Sequence, residues 1–400
     1  MNRLLLCVAL GLAFSNPVLA EDASKPVKVG VLTDQSSFAA DLSGEGSIVA
    51  ARMAVEDFGG KVLGRPIEVL TADNQAKPDI ASSIATRWFD QEGVDTIVDL
   101  PPSSVALAVQ AVAKERGKIV MFSAAGAGDL IGKQCSPTGF QWTFGTTPLA
   151  KSVTSAVLKA GGKSWFYVTS DYAFGKGLEE ISKGLVLAAG GKVLGSVRHP
   201  IDQTDMSSYL LQAQSSGADV IGLANSNQPS INSVKQAAEF GITKSKQRLV
   251  AMALLITDVR SIGIEKAQGL LLAESFYWDL NDETRAWSKR FAERYRNRMP
   301  TMTQAGVYSA VAHYLKAVQA AGTTDGKVVA EKMRAMPVKD FMTDNARIRK
   351  DGWVNRDFYL FQVKKPADSK GEWDLYNLVQ KIPADEAAPP EKGTGCPLTE

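Results

Sequence analysis

The sequence predicts an α/β protein built from two similarly wound units, each a mostly parallel sheet with helices on both faces. Three observations predict it. Short β-rich runs alternate with stretches whose apolar residues recur at three and four, the pattern of strand–helix–strand crossovers. The hexapeptide GGKVLG occurs at 59–64 and again at 190–195, each time after a strand and a helix and before another strand. GVDTIVDL at 93–100 is answered by GADVIGLA at 217–224, so both halves follow one order. The first pattern ends near GTTP at 145–148, where the second unit begins.

The elements follow in chain order. Residues 1–20 have a charged start at Arg3, an apolar core of eleven residues (LLLCVALGLAF), and small Val18 and Ala20 before Glu21. This is the pattern of a secretory signal cleaved after Ala20, and its core is too short for a permanent membrane span. Cys7 lacks the preceding small residue that lipidation needs. The expected strands of the first unit are 27–32, 67–72, 96–100 and 118–123; those of the second are 165–170, 192–197, 220–225 and 248–254. Between them GSIVAARMAVEDF, PDIASSIATRWFDQEG and PSINSVKQAAEFG read as amphipathic helices. LLLAESFYW (270–278) and FYLFQV (358–363) complete the strands, and ESFYWDL and RIRKDGW read as late crossings between the units.

A net charge of +2 with scattered Lys and Arg gives no nucleic-acid footprint. The one dense patch, RFAERYRNR at 290–298, contains a Glu and reads as a solvated helix face. Removal of the signal leaves Cys135 and Cys396, both in Gly/Pro-rich loops. An even count in an oxidising compartment suggests one disulfide tying the C-terminal tail to the body, with two free thiols as the alternative.

Enzymatic signatures fail one by one. GAGDLIG places Gly126, Gly128 and Gly132 in a spacing one residue too long for a dinucleotide fingerprint, after the fourth strand instead of the first. IGKQ lacks the hydroxyl residue of a P-loop after Lys133, and AGGKS has Val157 where the first glycine belongs. The two histidines, His199 and His313, have no nucleophile elbow or metal motif around them. No catalytic residue, metal or cofactor is expected.

What remains is a set of small polar loops at the carboxyl ends of strands, where open α/β sheets bind ligands. TDQSSFAADLSGEG offers Ser36, Ser37 and Phe38; LPPSS offers Ser103 and Ser104 opening a helix; SAAGAG offers bare amides. Hydroxyls, free N–H groups and a helix N-terminus together suit a carboxylate. In the second unit SDYAFG and ANSNQPS are the matching loops, and Tyr172 and Phe174 can close over an apolar ligand. Helix capping by the serines and core packing by the aromatics are the simpler alternatives.

At these residues the sequence resembles the type I solute-binding proteins of ABC importers, the branched-chain amino-acid-binding family. The resemblance spans nearly all of the mature chain through VKVGVLTD…AARMAVEDFGGKVLGRPIEVL, KIVMFSAAGAGDL, SDYAFGKGLEE and PTMTQAGVYSAVAHYLKAV. It implies two Rossmann-like lobes joined by a three-crossover hinge, closing on a small molecule that a membrane permease receives. Lobe 1 is then 25–146 with 278–350, lobe 2 is 147–277 with 351–385, and 386–400 is the tied tail. Carried over residue by residue, the carboxylate-binding serine falls on Pro102 or Ser103, and the strand-four amides on Ala125, Gly126 and Ala127. The second-lobe aromatic falls on Phe174, and the ANSNQ loop places Asn225 and Asn227 at the site.

One departure bears on the ligand. Amino-acid binders of the family hold the ligand's ammonium with an acidic residue after the strand ending RLVAMAL, where this chain has MALLIT, including Leu254, with no charge until Asp258. An ammonium buried without a counter-charge costs several kcal/mol. The expected ligand is therefore a small carboxylate without an amino group, aromatic in the favoured case. The expected protein is a periplasmic monomer that partners a permease and binds no nucleic acid. A ligand-sensing module for a membrane receptor, or a secreted hydrolase on the same scaffold, are the alternatives.

Overall fold

The computed structural model describes residues 25–242 and 245–400. The signal sequence expected at residues 1–20 lies outside them. The first unit comprises β1 (Val27–Thr33), α1 (Gly44–Asp57), β2 (Lys61–Val62), β3 (Arg65–Asp73), α2 (Pro78–Asp90), β4 (Thr96–Asp99), α3 (Ser103–Glu115), β5 (Ile119–Phe122) and β6 (Gly139–Gln141). Its strands form one sheet in the order β2-β3-β1-β4-β5-β6, parallel except for β2. Four of the seven residues of β1 carry apolar side chains, a fifth is glycine, and helices cover both sheet faces, which is why six of the seven are buried. Gly30 is required at its centre, because a Cβ there would lie 2.4 Å from the Trp88 ring of α2.

The second unit comprises α4 (Thr146–Lys159), β7 (Ser164–Ser170), α5 (Ala173–Ala188), β8 (Lys192–His199), α6 (Ser207–Ser215), β9 (Val220–Ala224), α7 (Asn227–Glu239), β10 (Arg248–Ala251), α8 (Ile256–Ile262) and α9 (Ile264–Ala267). Its parallel sheet runs β10-β9-β7-β8. The order β3-β1-β4-β5 of the first unit is thus reproduced, and the answering segments 93–100 and 217–224 supply the equivalent strands β4 and β9. The two GGKVLG copies differ in detail. In the first, Leu63 and Gly64 both have positive φ, 52° and 76°, and close a two-residue hairpin between β2 and β3. In the second, the same letters lead directly into β8, with a register shift opposite Phe166.

The remainder is β11 (Leu271–Glu274), α10 (Asp282–Arg294), α11 (Met302–Ala321), α12 (Gly326–Ala335), β12 (Val338–Asp340), β13 (Thr343–Ile348), β14 (Val354–Asn355), β15 (Phe358–Val363), β16 (Tyr376–Ile382) and α13 (Ala384–Ala387). α11 lies along α1, whereas β11 and β15 pack on α4. β11, β15 and β16 form one small sheet and β12, β13 and β14 another, so among the described residues the chain passes between the two units three times, after β6, after β11 and after β14. ESFYWDL begins in β11 and runs through the second of them, and RIRKDGW leads from β13 to β14 just before the third.

Two sequence expectations take definite form here. Cys135 and Cys396 are bonded, their Cα atoms 5.6 Å apart, so the tail is fastened beside the loop after β5. The RFAERYRNR patch is more than a solvated face: Arg290, Arg294, Arg296 and Arg298 pair with Asp57, Glu56, Glu45 and Asp41 at 2.5, 2.7, 2.6 and 3.1 Å. This ladder ties α10 and the segment after it to α1 and the loop before it. Among the described residues no helix is long and apolar enough to cross a membrane.

Candidate functional site

The carboxyl ends of both parallel sheets face a shared cavity with about 520 Å³ of empty space, its mouth included. Loops after β1, β4, β5, β7, β9 and β10 reach it, together with Phe144 and Leu149 near the first crossing and Met302 at the start of α11.

The β4 loop supplies the polar end. Asp99 and Leu100 both adopt positive φ, 90° and 66°, and Asn74 donates to the Pro101 carbonyl at 2.8 Å. The turn delivers Ser103 to the first position of α3, where main-chain N–H groups lack intrahelical partners. Ser103 Oγ accepts hydrogen bonds from Gly126 N–H and Ala127 N–H, each at 3.2 Å. No hydrogen bond donated by Ser103 Oγ occurs among the described residues, and the side chain lines the cavity. Beneath the loop, Asp99 is fully buried, accepts from Ser123 Oγ at 2.8 Å, and is pushed up to about 6 by burial.

The first crossing and the second unit together supply an aromatic wall. Phe144 and Phe174 meet edge to face with centroids 5.9 Å apart, and Tyr172 lies 6.1 Å from Phe174. Gly126 permits this contact, since a Cβ there would lie 2.6 Å from Phe144 and 2.7 Å from Phe174. Tyr172 Oη is 3.3 Å from Ser226 Oγ, and burial raises the phenol to about 12, so it stays neutral. Asn227 starts α7 with φ +54° and donates to Ser226 Oγ at 3.4 Å.

The loop after β10 requires a correction. Asp258, taken from the sequence to lie beyond the site, lines the cavity. β10 ends at Ala251, residues 252–255 follow the wall, and the first turn of α8 carries Asp258 back beside Leu254. Asp258 is only 5 % exposed and accepts from the Leu255 N–H at 2.9 Å. Burial, with a smaller push from Asp41, raises it to about 7. Behind it, buried Glu274 accepts from the Tyr376 hydroxyl at 3.0 Å and is raised well above its usual range, chiefly by desolvation.

Of the residues expected at the site, the fold brings Pro102, Ser103, Gly126, Tyr172, Phe174, Asn227 and Leu254 to the cavity. Ser36, Ser37, Phe38, Ser104, Ala125, Ala127 and Asn225 are not among its lining residues. Ser37 Oγ donates to Asp34 and Ser36 Oγ to Asp73, both at 2.5 Å, so these hydroxyls hold their own loop together. Phe38 packs against the core instead. Asn225 accepts from Ser230 Oγ at 2.6 Å and lies 3.2 Å from His199 Nε2, while His199 Nδ1 lies 2.7 Å from the Pro200 carbonyl. This buried network steadies the start of α7. Among the lining residues that sequence reasoning missed are Phe144, Ser226, Asp258 and Met302. Of these, Met302 had a local signal: Thr301 caps α11 and Gln304 completes the box.

A cavity between two units of like winding, at the carboxyl ends of both sheets, is where open α/β folds bind small molecules. The family model for periplasmic binding proteins matches residues 26–372, and the chain belongs to that family. A periplasmic binding protein from Burkholderia mallei is 46 % identical, with a TM-score of 0.91, covering 94 % of this chain and 99 % of that one. A branched-chain amino-acid ABC transporter periplasmic ligand-binding protein from Burkholderia xenovorans LB400 is 41 % identical, with a TM-score of 0.84, covering 94 % and 100 %. A more distant solute-binding protein from R. palustris, solved in complex with benzoate, shares the fold at 23 % identity and a TM-score of 0.81, covering 94 % and 100 %.

Proposed function

We propose that the protein is the periplasmic receptor of an ABC importer, binding a small carboxylic acid with an aromatic body and passing it unaltered to a membrane permease. One observation carries this reading: a single cavity combines a helix N-terminus and a free Ser103 proton at one wall with Phe144, Phe174 and Tyr172 at another. The first pair suits a carboxylate and the second a ring. Asp258 removes the sequence argument from a missing counter-charge, so the apolar and aromatic walls now support the choice of acid. The more distant relative's benzoate supports it further, since that scaffold is one that can hold an aromatic acid.

Burial of about 150 Å² of ring contributes roughly 4 kcal/mol. Two or three hydrogen bonds to the carboxylate add about 1.5–3 kcal/mol each. After the cost of association a micromolar constant, about −8 kcal/mol, is within reach. In this reading residues 1–20 export the chain, which works as a monomer. Lobe 1 (25–146 and 278–350) and lobe 2 (147–277 and 351–385) close by a hinge at the three crossings. Isothermal calorimetry against a panel of aromatic acids and α-amino acids tests it. Micromolar binding of the acids is expected, and silence across the acid panel contradicts it.

A further inference from the structure

Asp258 is an ionisable group in the cavity wall that carboxylate binding does not use. One of its oxygens receives the Leu255 N–H, and no Lys or Arg among the described residues lies within ion-pairing distance of it. The titratable groups facing it are Glu274 from β11, with Tyr376 of β16 behind, and Asp41 from the loop before α1, itself paired with Arg298. None of these supplies a cation to Asp258 directly. A carboxyl group offers about four lone-pair positions, so this one has acceptor capacity to spare. The wall beside it is Ala253, Leu254 and Leu255, which offer only methyl and methylene groups from their side chains.

We propose that Asp258 selects, among the acids the cavity accepts, those carrying a hydroxyl on their apolar body, by accepting that hydroxyl's hydrogen at the wall formed by the start of α8. The inference rests on the carboxylic-acid reading of the cavity given above. A hydroxyl brings one donor and meets one free acceptor. An ammonium brings three donors to a wall where apolar side chains flank a single carboxyl, and leaves N–H groups dry. An unsubstituted ring leaves the carboxyl without any ligand partner. Sites built around a substrate hydroxyl discriminate strongly against the analogue that lacks it, because their buried polar group is then unpaired. Burial holds Asp258 near 7, so the ionised, stronger acceptor predominates at pH 8 and the neutral acid at pH 6.

The test is calorimetry with benzoate, 3-hydroxybenzoate, 4-hydroxybenzoate and phenylalanine at pH 6 and pH 8, on the wild type, Asp258→Ala and Asp258→Asn. In the wild type at pH 8, at least one hydroxybenzoate should bind about tenfold or more tightly than benzoate, and the margin should shrink at pH 6. Asp258→Ala should bring the margin to roughly threefold or less while benzoate still binds. Asp258→Asn keeps an acceptor oxygen of nearly the same shape and should retain part of the margin with less pH dependence. Equal binding of benzoate and both hydroxybenzoates by the wild type overturns the inference, as does a margin that survives Asp258→Ala. Tighter binding of phenylalanine than of every acid also overturns it. If none of the acids binds, the carboxylic-acid reading fails with it; if benzoate binds without any margin, only the role of Asp258 fails.

Discussion

Removing one oxygen atom at Ser103 should affect both the fold and the affinity. Ser103 Oγ is the acceptor for two buried amides, Gly126 N–H and Ala127 N–H, at 3.2 Å each. In Ser103→Ala both lose it. Gly126 lines the cavity, so water entering there can replace its partner, while Ala127 is 1 % exposed and is not among the lining residues. One orphaned amide at full cost and one at partial cost give a loss of about 2–4 kcal/mol. For a lobe of this size that is a fall of roughly 5–15 °C in melting temperature. The ligand separately loses the hydrogen bond donated by Ser103, about 1.5–3 kcal/mol to a charged acceptor, or roughly 10- to 100-fold in Kd. Thermal melts of the ligand-free protein and calorimetry with benzoate measure the two effects. Ser104→Ala is the comparison, because that side chain lies outside the cavity, and its Kd should stay within about twofold. A Ser103→Ala protein with wild-type melting temperature and wild-type Kd refutes the assignment of this serine.

Three further outcomes follow from the geometry. Gly126→Ala forces a methyl group to 2.6 Å from Phe144 and 2.7 Å from Phe174, rings that already touch each other, so overpacking should cost about 1–3 kcal/mol and weaken ligand binding; an unchanged melt and Kd contradict it. Cys396→Ser opens a closure of 261 residues, and the loss should approach the upper part of the usual disulfide range, about 2–5 kcal/mol, in denaturant titrations; a midpoint unaffected by the substitution would show that the tail does not brace the body. Asp99, raised to about 6 against an ordinary 3.8, holds its proton more tightly when folded, so its contribution favours the fold at low pH and is lost as pH rises through about 6. The stability of Asp99→Asn relative to wild type should therefore climb between pH 4 and pH 7, by an amount of order 3 kcal/mol, and then level off; a difference independent of pH is the contrary result.

The duplicated winding was legible because it is written in periodicity and in repeated strings, which depend on local chain chemistry alone. All ten expected strands formed, with ends shifted by a few residues at most. Of the strands not foreseen, β2 and β14 have two residues, β6 and β12 three, β13 is a mostly polar run of six, and β16 is a largely exposed edge. Such segments carry little hydrophobic signal, and pairing across the fold defines them. In the site, Ser103 was legible because a hydroxyl residue opening a helix after a strand is a local pattern. Ser36 and Ser37 show the limit of that pattern: Asp34, two and three residues back, takes the loop's N–H groups, Ser37's hydroxyl included, and Asp73 takes Ser36's. Phe144, Met302 and Asp258 come from the first crossing, from a helix cap late in the chain, and from one turn past a strand end. Only the folded path shows that all three reach one cavity.

The most direct measurement is non-denaturing mass spectrometry of the purified full chain, followed by unfolding and identification of what is released. Carriage of an acid between closed lobes predicts one small carboxylic acid per chain, recovered chemically intact and exchangeable for added benzoate. A chain that retains nothing and exchanges nothing, or that returns added ligand as a different compound, contradicts it.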